Sequence, residues 1–181
     1  IDELASYHLD AIWLMGVWER SPESRASALN YIHEYQGALP NITTEDIIGS
    51  AYALGNYEVD ARLGGREGLA AFRRQLHKRG IRLILDFVPN HVATDHPWIK
   101  EHPEYFITGT KDDLEIDPFT FFVPSSTDKV MAHGRDPYFP AWIDTTQLNA
   151  FSPGYRQATI DTLLDIASQC DGVRCDMAML M

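Results

Sequence analysis

The segment IRLILDFVPNH, Ile81–His91, contains the clearest strand pattern in this sequence. It opens with a nearly unbroken apolar run rich in branched aliphatic residues, which is typical of a parallel strand covered on both faces. In the preceding segment, REGLAAFRRQLHKRG, Leu69, Phe72 and Leu76 recur at helical spacing and Gly80 supplies a C-terminal stop. The sequence therefore predicts a helix that leads directly into a buried strand.

Two further apolar runs have the same character. AIWLMGVW, Ala11–Trp18, predicts a strand buried on both faces, and DGVRCDMAML, Asp171–Leu180, predicts a third strand. Ser152 and Pro153 form an N-cap and first-turn pair that begins a second helix before the third strand. The apolar stripe predicted for this helix comprises Tyr155, Ile160, Leu163, Leu164 and Ala167. Alternating strands and helices predict a parallel α/β sheet, and both a doubly wound sheet and a (β/α) barrel fit this order.

The connection between the second strand and Ser152 is about sixty residues long, far beyond an ordinary loop. It is dense in Pro, Asp, Phe and Tyr, which is too aromatic for a disordered linker and too irregular for a helix. We therefore expect a small inserted subdomain over residues 92–150. Long excursions after the carboxyl end of a strand are where α/β enzymes place function.

The composition and charge of the chain make some kinds of binding partner unfavourable. The chain has 181 residues and a net charge of −11, which repels nucleic acid and anionic membrane surfaces. It contains no apolar run of the length that a membrane span needs, and its N-terminus lacks the regions of a signal peptide. Because a signal could lie upstream of Ile1, the sequence leaves the compartment open, with the cytoplasm slightly favoured. Because it begins with Ile1 and ends in an apolar run, we expect a piece of a longer chain. Cys170 and Cys175 are expected to be reduced core thiols.

Charged and polar residues lie at the ends of two predicted strands. Asp86 and His91 lie at the end of one strand, and Arg174 and Asp176 lie in the other. A buried carboxylate costs several kcal/mol unless it is paired, so Asp86 and Arg174 are predicted partners. Arg174 and Asp176 are two residues apart and face the same way on a strand, which keeps the carboxylate ionised as a nucleophile requires. A structural ion pair that closes the sheet end explains the spacing equally well.

These residues resemble the α-amylase family of glycoside hydrolases, glycoside hydrolase family 13. DFVPNH is similar to the family's first signature and GVRCD to its Gly-x-Arg-x-Asp signature. AIWLMGVWERSP, YALGNYEVDARLGG and the QLN that begins at Gln147 resemble further family segments in the same order. The resemblance implies that residues 1–181 form a partial (β/α)8 TIM barrel, about strands two to four, with residues 92–150 as a B-type subdomain inserted after the third strand.

The resemblance also implies residue roles. Asp176 would be the catalytic nucleophile, Arg174 would hold it ionised, and Asp86 would brace Arg174 and His91. His91 would bind a sugar hydroxyl and Tyr52 would stack on the same ring, since a pyranose has apolar faces and a polar rim. The implied function is a retaining α-glycosidase that acts on an α-glucan or α-glucoside. A transglycosylase, a glucoside isomerase and a non-catalytic amylase-like interaction module remain alternatives.

In this family the general acid is a Glu at the fifth strand, beyond this sequence. The 181 residues alone are therefore expected to be inactive, with the remainder of the barrel needed for a complete site. The resemblance requires no cofactor, and the spacing of His91, His96 and His102 predicts no metal ligand set. The resemblance leaves open whether Asn90 binds a calcium ion. Trp98 and Trp142 either line a saccharide groove or, as we favour, pack in the core of the subdomain.

Overall fold

The computed structural model describes residues 1–180. The strands are β1 Ala11–Leu14, β2 Trp18–Arg20, β3 Leu54–Val59, β4 Arg82–Phe87, β5 His91–Ala93, β6 Phe121–Phe122, β7 Met131–Ala132, β8 Thr145–Gln147 and β9 Gly172–Cys175. The α-helices are α1 Asp2–Ser6, α2 Pro22–Leu29, α3 Ile32–Tyr35, α4 Gly65–His77, α5 Trp98–Glu101, α6 Lys111–Ile116 and α7 Pro153–Gln169. Within these residues, no helix is both long and apolar enough to cross a membrane.

The central sheet has three parallel strands in the order β1-β4-β9. Helices α4 and α7 connect them, which confirms the predicted parallel α/β arrangement. Leu83 and Leu85 are fully buried in one hydrophobic core with Leu76 of α4 and Ile166 of α7. Since side chains alternate along a strand, the residues between and after these leucines, Ile84 and Asp86, belong to the opposite face of the sheet.

Both connecting helices begin or end where the sequence predicts. The Ser152 side chain accepts a hydrogen bond from the Tyr155 amide, with Pro153 in the first turn of α7. Gly80, which follows α4, has a φ of +74°, a backbone conformation that favours glycine. The stripe predicted for α7 is partly wrong, because Ile160 and Leu164 are exposed. The helix instead buries a face that includes Tyr155 and Ile166.

The first predicted strand is wrong in length and burial. Strand β1 stops at Leu14, and the apolar run is interrupted at Gly16, whose φ is +73°. Trp13 is 44% exposed and Met15 is also exposed. The physical reason is that α4 and α7 pack against only one face of the sheet. Apolar side chains on the other face therefore stay exposed.

The third predicted strand is too long. Strand β9 ends at Cys175, and residues Ala178–Leu180 form a turn of 3-10 helix. Met177 has a φ of +52° and Met179 is exposed, and Met181 lies outside the described residues. Both cysteines are free thiols as predicted, but only Cys170 is buried.

The segment between β4 and α7 has its own hydrophobic core. Strand β5 pairs antiparallel with β8, and β6 pairs antiparallel with β7. The buried members of this core are Val92, Ile99, Tyr105, Phe106, Met131, Leu148 and Tyr155. Trp98 packs against Tyr105 and Tyr155, as favoured from the sequence. Because Tyr155 begins α7, this core rests on the helix that leads into β9.

Candidate active site

A buried ionic group lies where β4 and β9 end. In the parallel register, Asp86 is the partner of Arg174. Arg174 Nη1 donates a hydrogen bond to Asp86 Oδ1 at 3.1 Å and forms an ion pair with Asp176 Oδ1 at 2.6 Å. The contact predicted between Asp86 and Arg174 is therefore present, and one guanidinium bridges two carboxylates.

The three groups differ in their access to solvent. Asp86 is 3% exposed and Asp176 is 7% exposed, whereas the Arg174 side chain is 40% exposed. Burial raises the pKa of Asp86, and the hydrogen bond and charge of Arg174 offset only part of that rise. Burial alone would lower the pKa of Arg174, but Asp86 and Asp176 outweigh it and raise that pKa. The guanidinium thus stays charged while it holds both carboxylates.

Two aromatic rings enclose the Arg174 guanidinium. Its Cζ lies 4.9 Å from the centre of the Trp13 ring and 5.6 Å from the centre of the Tyr52 ring. Arg174 Nη1 also donates a hydrogen bond to the Tyr52 hydroxyl at 3.1 Å. Such contacts between a cation and aromatic faces are favourable and restrict where the guanidinium can lie. Tyr52 is therefore in the same group as the predicted site residues on β4 and β9.

Trp13 is a site residue that the sequence analysis missed. In the parallel register of β1 and β4, Trp13 is the partner of Ile84, which is two residues before Asp86. Residues two apart on a strand share a face, so Trp13 and Asp86 belong to the same face of the sheet. The alternation along β1 could have revealed this position, but the continuous apolar run concealed it.

His91 is buried at the start of β5, where its ring centre lies 4.9 Å from that of Trp142. Burial lowers the pKa of His91 to about 4, although a hydrogen bond to the backbone of Tyr52 raises it in part. The imidazole is therefore neutral at ordinary pH. Among the described residues, the His91 side chain has a hydrogen-bond contact with Asn90 and none with Asp86. Asp86 therefore contacts Arg174, as predicted, but it does not contact His91.

Asn90 is the residue through which calcium binding was considered. Gln147 Nε2 donates hydrogen bonds to the Asn90 backbone oxygen at 2.9 Å and to Asn90 Oδ1 at 3.0 Å. Within residues 1–180 there is no group of three or more His, Cys, Asp or Glu side chains that could hold a metal ion. Both oxygens of Asn90 thus accept hydrogen bonds from Gln147, and calcium binding through Asn90 stays a prediction.

Comparison with known proteins identifies the family. The family model described as alpha amylase, catalytic domain, matches residues 1–152. The chain belongs to the alpha-amylase family. It is 40% identical over 63 residues to an alpha-1,4-glucan:maltose-1-phosphate maltosyltransferase of Cereibacter sphaeroides. The aligned segment covers 32% of this chain and 9% of that protein. It is 28% identical over 128 residues to a trehalose synthase of a Pimelobacter species, covering 63% of the chain and 22% of that protein.

Several solved structures have a fold similar to that of this chain. A noncanonic maltogenic alpha-amylase from Thermotoga neapolitana aligns with a TM-score of 0.66 and 21% identity, over 99% of this chain and 33% of that one. Isomaltulose synthase from Klebsiella sp. LX3 aligns with a TM-score of 0.69 and 21% identity, over 97% of this chain and 29% of that one. The alpha-amylase-type α/β fold is thereby confirmed, and the chain spans about a third or less of the proteins it matches.

Proposed function

We propose that this chain carries the nucleophile half of the active site of a retaining enzyme that acts on α-glucans or α-glucosides. The observation that carries the proposal is the Arg174 guanidinium, which bridges Asp86 and Asp176 where two neighbouring parallel strands end. A half-site at this edge is typical of barrel enzymes, which place their chemistry at the carboxyl ends of the strands. In this proposal β1, β4 and β9 are strands two to four of a (β/α)8 barrel, and residues 92–150 are its inserted B-type subdomain.

The proposed chemistry begins with Asp176. Its carboxylate oxygen forms a bond to the anomeric carbon while the glycosidic C–O bond breaks, and the leaving oxygen takes a proton from an acid on the enzyme. A water molecule or a sugar hydroxyl then attacks the anomeric carbon and gives its proton back to the group that acted as the acid, while the bond between the anomeric carbon and Asp176 breaks and releases the carboxylate. Two contacts hold Asp176 for this role: the ion pair with Arg174, and a hydrogen bond of 2.7 Å from its amide to the Phe87 carbonyl.

The proton donor of the first step is proposed to lie outside these 181 residues. A retaining enzyme needs a second carboxyl group about 5 to 5.5 Å from the nucleophile. Asp86 is unsuited to this role because it is buried and accepts a hydrogen bond from Arg174. We infer that the 181 residues alone do not turn over a glycoside and need the remainder of the barrel.

Relatives of this chain bear the names of both hydrolases and transferases. They include a probable oligo-1,6-glucosidase of Bacillus subtilis as well as the maltosyltransferase and the trehalose synthase. Hydrolysis, transglycosylation and isomerisation share the same first step, and they differ in whether water or a sugar hydroxyl reaches the glycosyl-enzyme. The proposal therefore covers the nucleophile and the substrate class. A non-catalytic interaction module is the alternative, because the same ion pair also stabilises the fold, and this alternative predicts no turnover of any glycoside.

Turnover of a nitrophenyl α-glucoside by the natural protein that contains these residues tests the proposal. Changing Asp176→Asn removes the nucleophile, so we expect kcat/KM to fall by at least about 10³-fold. The matched control is Asp112→Asn, an exposed aspartate in the first turn of α6, which should leave turnover unchanged. Retained turnover in the Asp176 variant, or absent turnover in the unaltered protein with every α-glucoside and α-glucan tried, would refute the proposal.

A further inference from the structure

The polar contacts of the Arg174 guanidinium converge on one of its three nitrogen atoms. Nη1 contacts the Tyr52 hydroxyl at 3.1 Å, Asp86 Oδ1 at 3.1 Å and Asp176 Oδ1 at 2.6 Å. Among the described residues, Nε and Nη2 of Arg174 have no hydrogen-bond partner. The polar contacts therefore fix where Nη1 lies, but they leave the plane of the guanidinium free to turn about that atom.

This arrangement differs from the pairing that normally orients an arginine. A bidentate pair with a carboxylate uses two nitrogen atoms at once, and each terminal nitrogen carries only two hydrogens. At Nη1 of Arg174, two hydrogens serve three oxygen atoms. The Arg174 side chain is also 40% exposed, so close packing does not enclose it. A further contact is needed to keep the guanidinium in one plane.

The ring of Trp13 provides this contact. Cζ of Arg174 lies over the Trp13 ring at 4.9 Å from its centre, compared with 5.6 Å for the Tyr52 ring. Guanidinium groups stack on aromatic faces, and tryptophan gives the strongest contacts between a cation and a ring. Tyr52 also contacts Nη1 through its hydroxyl, whereas Trp13 contacts the cation through its ring alone.

The position of Trp13 in the fold has no other explanation in packing. Trp13 is 44% exposed, and among the described residues it belongs to neither hydrophobic core. The register of β1 and β4 places it on the same sheet face as Asp86. Burial raises the pKa of Asp86, and the neighbouring Arg174 and Trp13 side chains lower it in part. Trp13 thus contacts the ionic group at the strand ends and not the core.

We propose that Trp13 is a positioning residue, which holds the Arg174 guanidinium in one plane so that the Asp176 carboxylate keeps one position. This inference rests on the proposed function and deepens it, since it assigns a residue on β1 to the bond-forming step. Trp13 acts through Arg174 and not on the sugar. A misplacement of about 1 Å at a reacting group can cost about 10²-fold in rate, so the contact affects catalysis more than substrate binding.

Turnover of a nitrophenyl α-glucoside by the natural protein that contains these residues tests this inference. Trp13→Leu removes the ring and should lower kcat by about tenfold or more, while KM changes by less than about twofold. Trp13→Phe keeps an aromatic face and should recover most of the lost kcat. Tyr7→Leu, at an exposed tyrosine that follows α1, is the matched control and should leave both constants unchanged.

A cycle of variants shows whether Trp13 acts through Arg174. Arg174→Lys keeps the positive charge but removes the planar guanidinium. With α-glucosyl fluoride as a more reactive substrate, adding Trp13→Leu to Arg174→Lys should lower kcat by less than about twofold, because the group that Trp13 positions is absent. If Trp13 touches the sugar directly, the loss is the same in both backgrounds and the inference is overturned.

The remaining outcomes separate this inference from the proposed function. If Trp13→Leu unfolds, Trp13→Met takes its place in the same assays, since methionine fills irregular space without a ring. An unchanged kcat in a folded variant that lacks the ring, or a rise in KM alone, overturns the inference while turnover still depends on Asp176. Turnover that survives Asp176→Asn refutes the proposed function, and with it the role of Trp13.

Discussion

Removing the Arg174 charge should destabilise the fold through the two carboxylates it bridges. In Arg174→Met, Asp86 and Asp176 remain buried beside each other without their cation. Breaking a fully buried pair costs about 3–5 kcal/mol. The Arg174 side chain is 40% exposed, so water replaces part of the lost interaction. We therefore expect the free energy of unfolding at pH 7 to fall by about 2–3 kcal/mol.

The loss should depend on pH with a defined sign. Burial already raises the pKa of Asp86, and without the guanidinium, which lowers it in part, that pKa rises further. The destabilisation is then full above the folded-state pKa of Asp86 and disappears as the pH falls below the unfolded value of an aspartate, about 4. Urea unfolding of the chain, followed by tryptophan fluorescence at neutral and acidic pH, measures both effects.

Two comparisons make this experiment decisive. Asp86→Asn in the Arg174→Met background removes one unpaired charge and should recover part of the lost stability. Arg156→Met, at an exposed arginine on α7, should change the free energy of unfolding by less than about 0.5 kcal/mol. A loss in Arg174→Met no larger than this, or no recovery in the double variant, would refute the reasoning that the buried carboxylates depend on Arg174.

Three further outcomes follow from single buried positions. Burial lowers the pKa of both His91 and His96 from 6.5 to about 4. The stability that these neutral rings contribute is therefore full above pH 6.5 and should be lost as the pH falls towards 4, by up to roughly 3 kcal/mol for each ring. His96→Gln should flatten this part of the curve of unfolding free energy against pH, and an unchanged curve would contradict the lowered pKa of His96. Gly134→Ala brings a Cβ within 2.6 Å of Thr145 Oγ1 and 2.9 Å of His91 Cβ, and should cost about 1–3 kcal/mol in the same unfolding assay, whereas unaltered stability would show that the contact is loose. In native protein a thiol reagent should modify the exposed Cys175 and spare Cys170, whose pKa burial raises, and equal labelling of both would count against the packing of α7.

Local signals made much of the fold predictable. The Ser152 cap and the helical spacing that includes Leu69 and Leu76 were sufficient for α7 and α4, because these features depend on neighbours in sequence. The contact between Asp86 and Arg174 was predictable because a buried carboxylate requires a partner. The spacing of Arg174 and Asp176 also predicted their ion pair, although Asp176 lies one residue beyond the end of β9.

Features that depend on distant packing were not predictable in the same way. Trp13 is exposed because α4 and α7 pack against the other face of the sheet. An apolar run in the sequence does not show which face of a strand will be buried. The contact of Trp142 with His91 joins two segments that are far apart in the chain, so neither position indicates the other. Helix α2, whose cap at Ser21 and Pro22 the sequence does contain, was missed because its residues lack an apolar stripe.

Whether Asp176 is the nucleophile can be measured by mass spectrometry of the natural protein that contains these residues, after reaction with a fluorinated α-glucosyl fluoride. Such a substrate slows the second step, so that a glycosyl-enzyme accumulates. The account predicts a covalently bound sugar on the peptide that includes Asp176, and no adduct after Asp176→Asn. An adduct on any other residue, or one that persists in the Asp176→Asn variant, would contradict it.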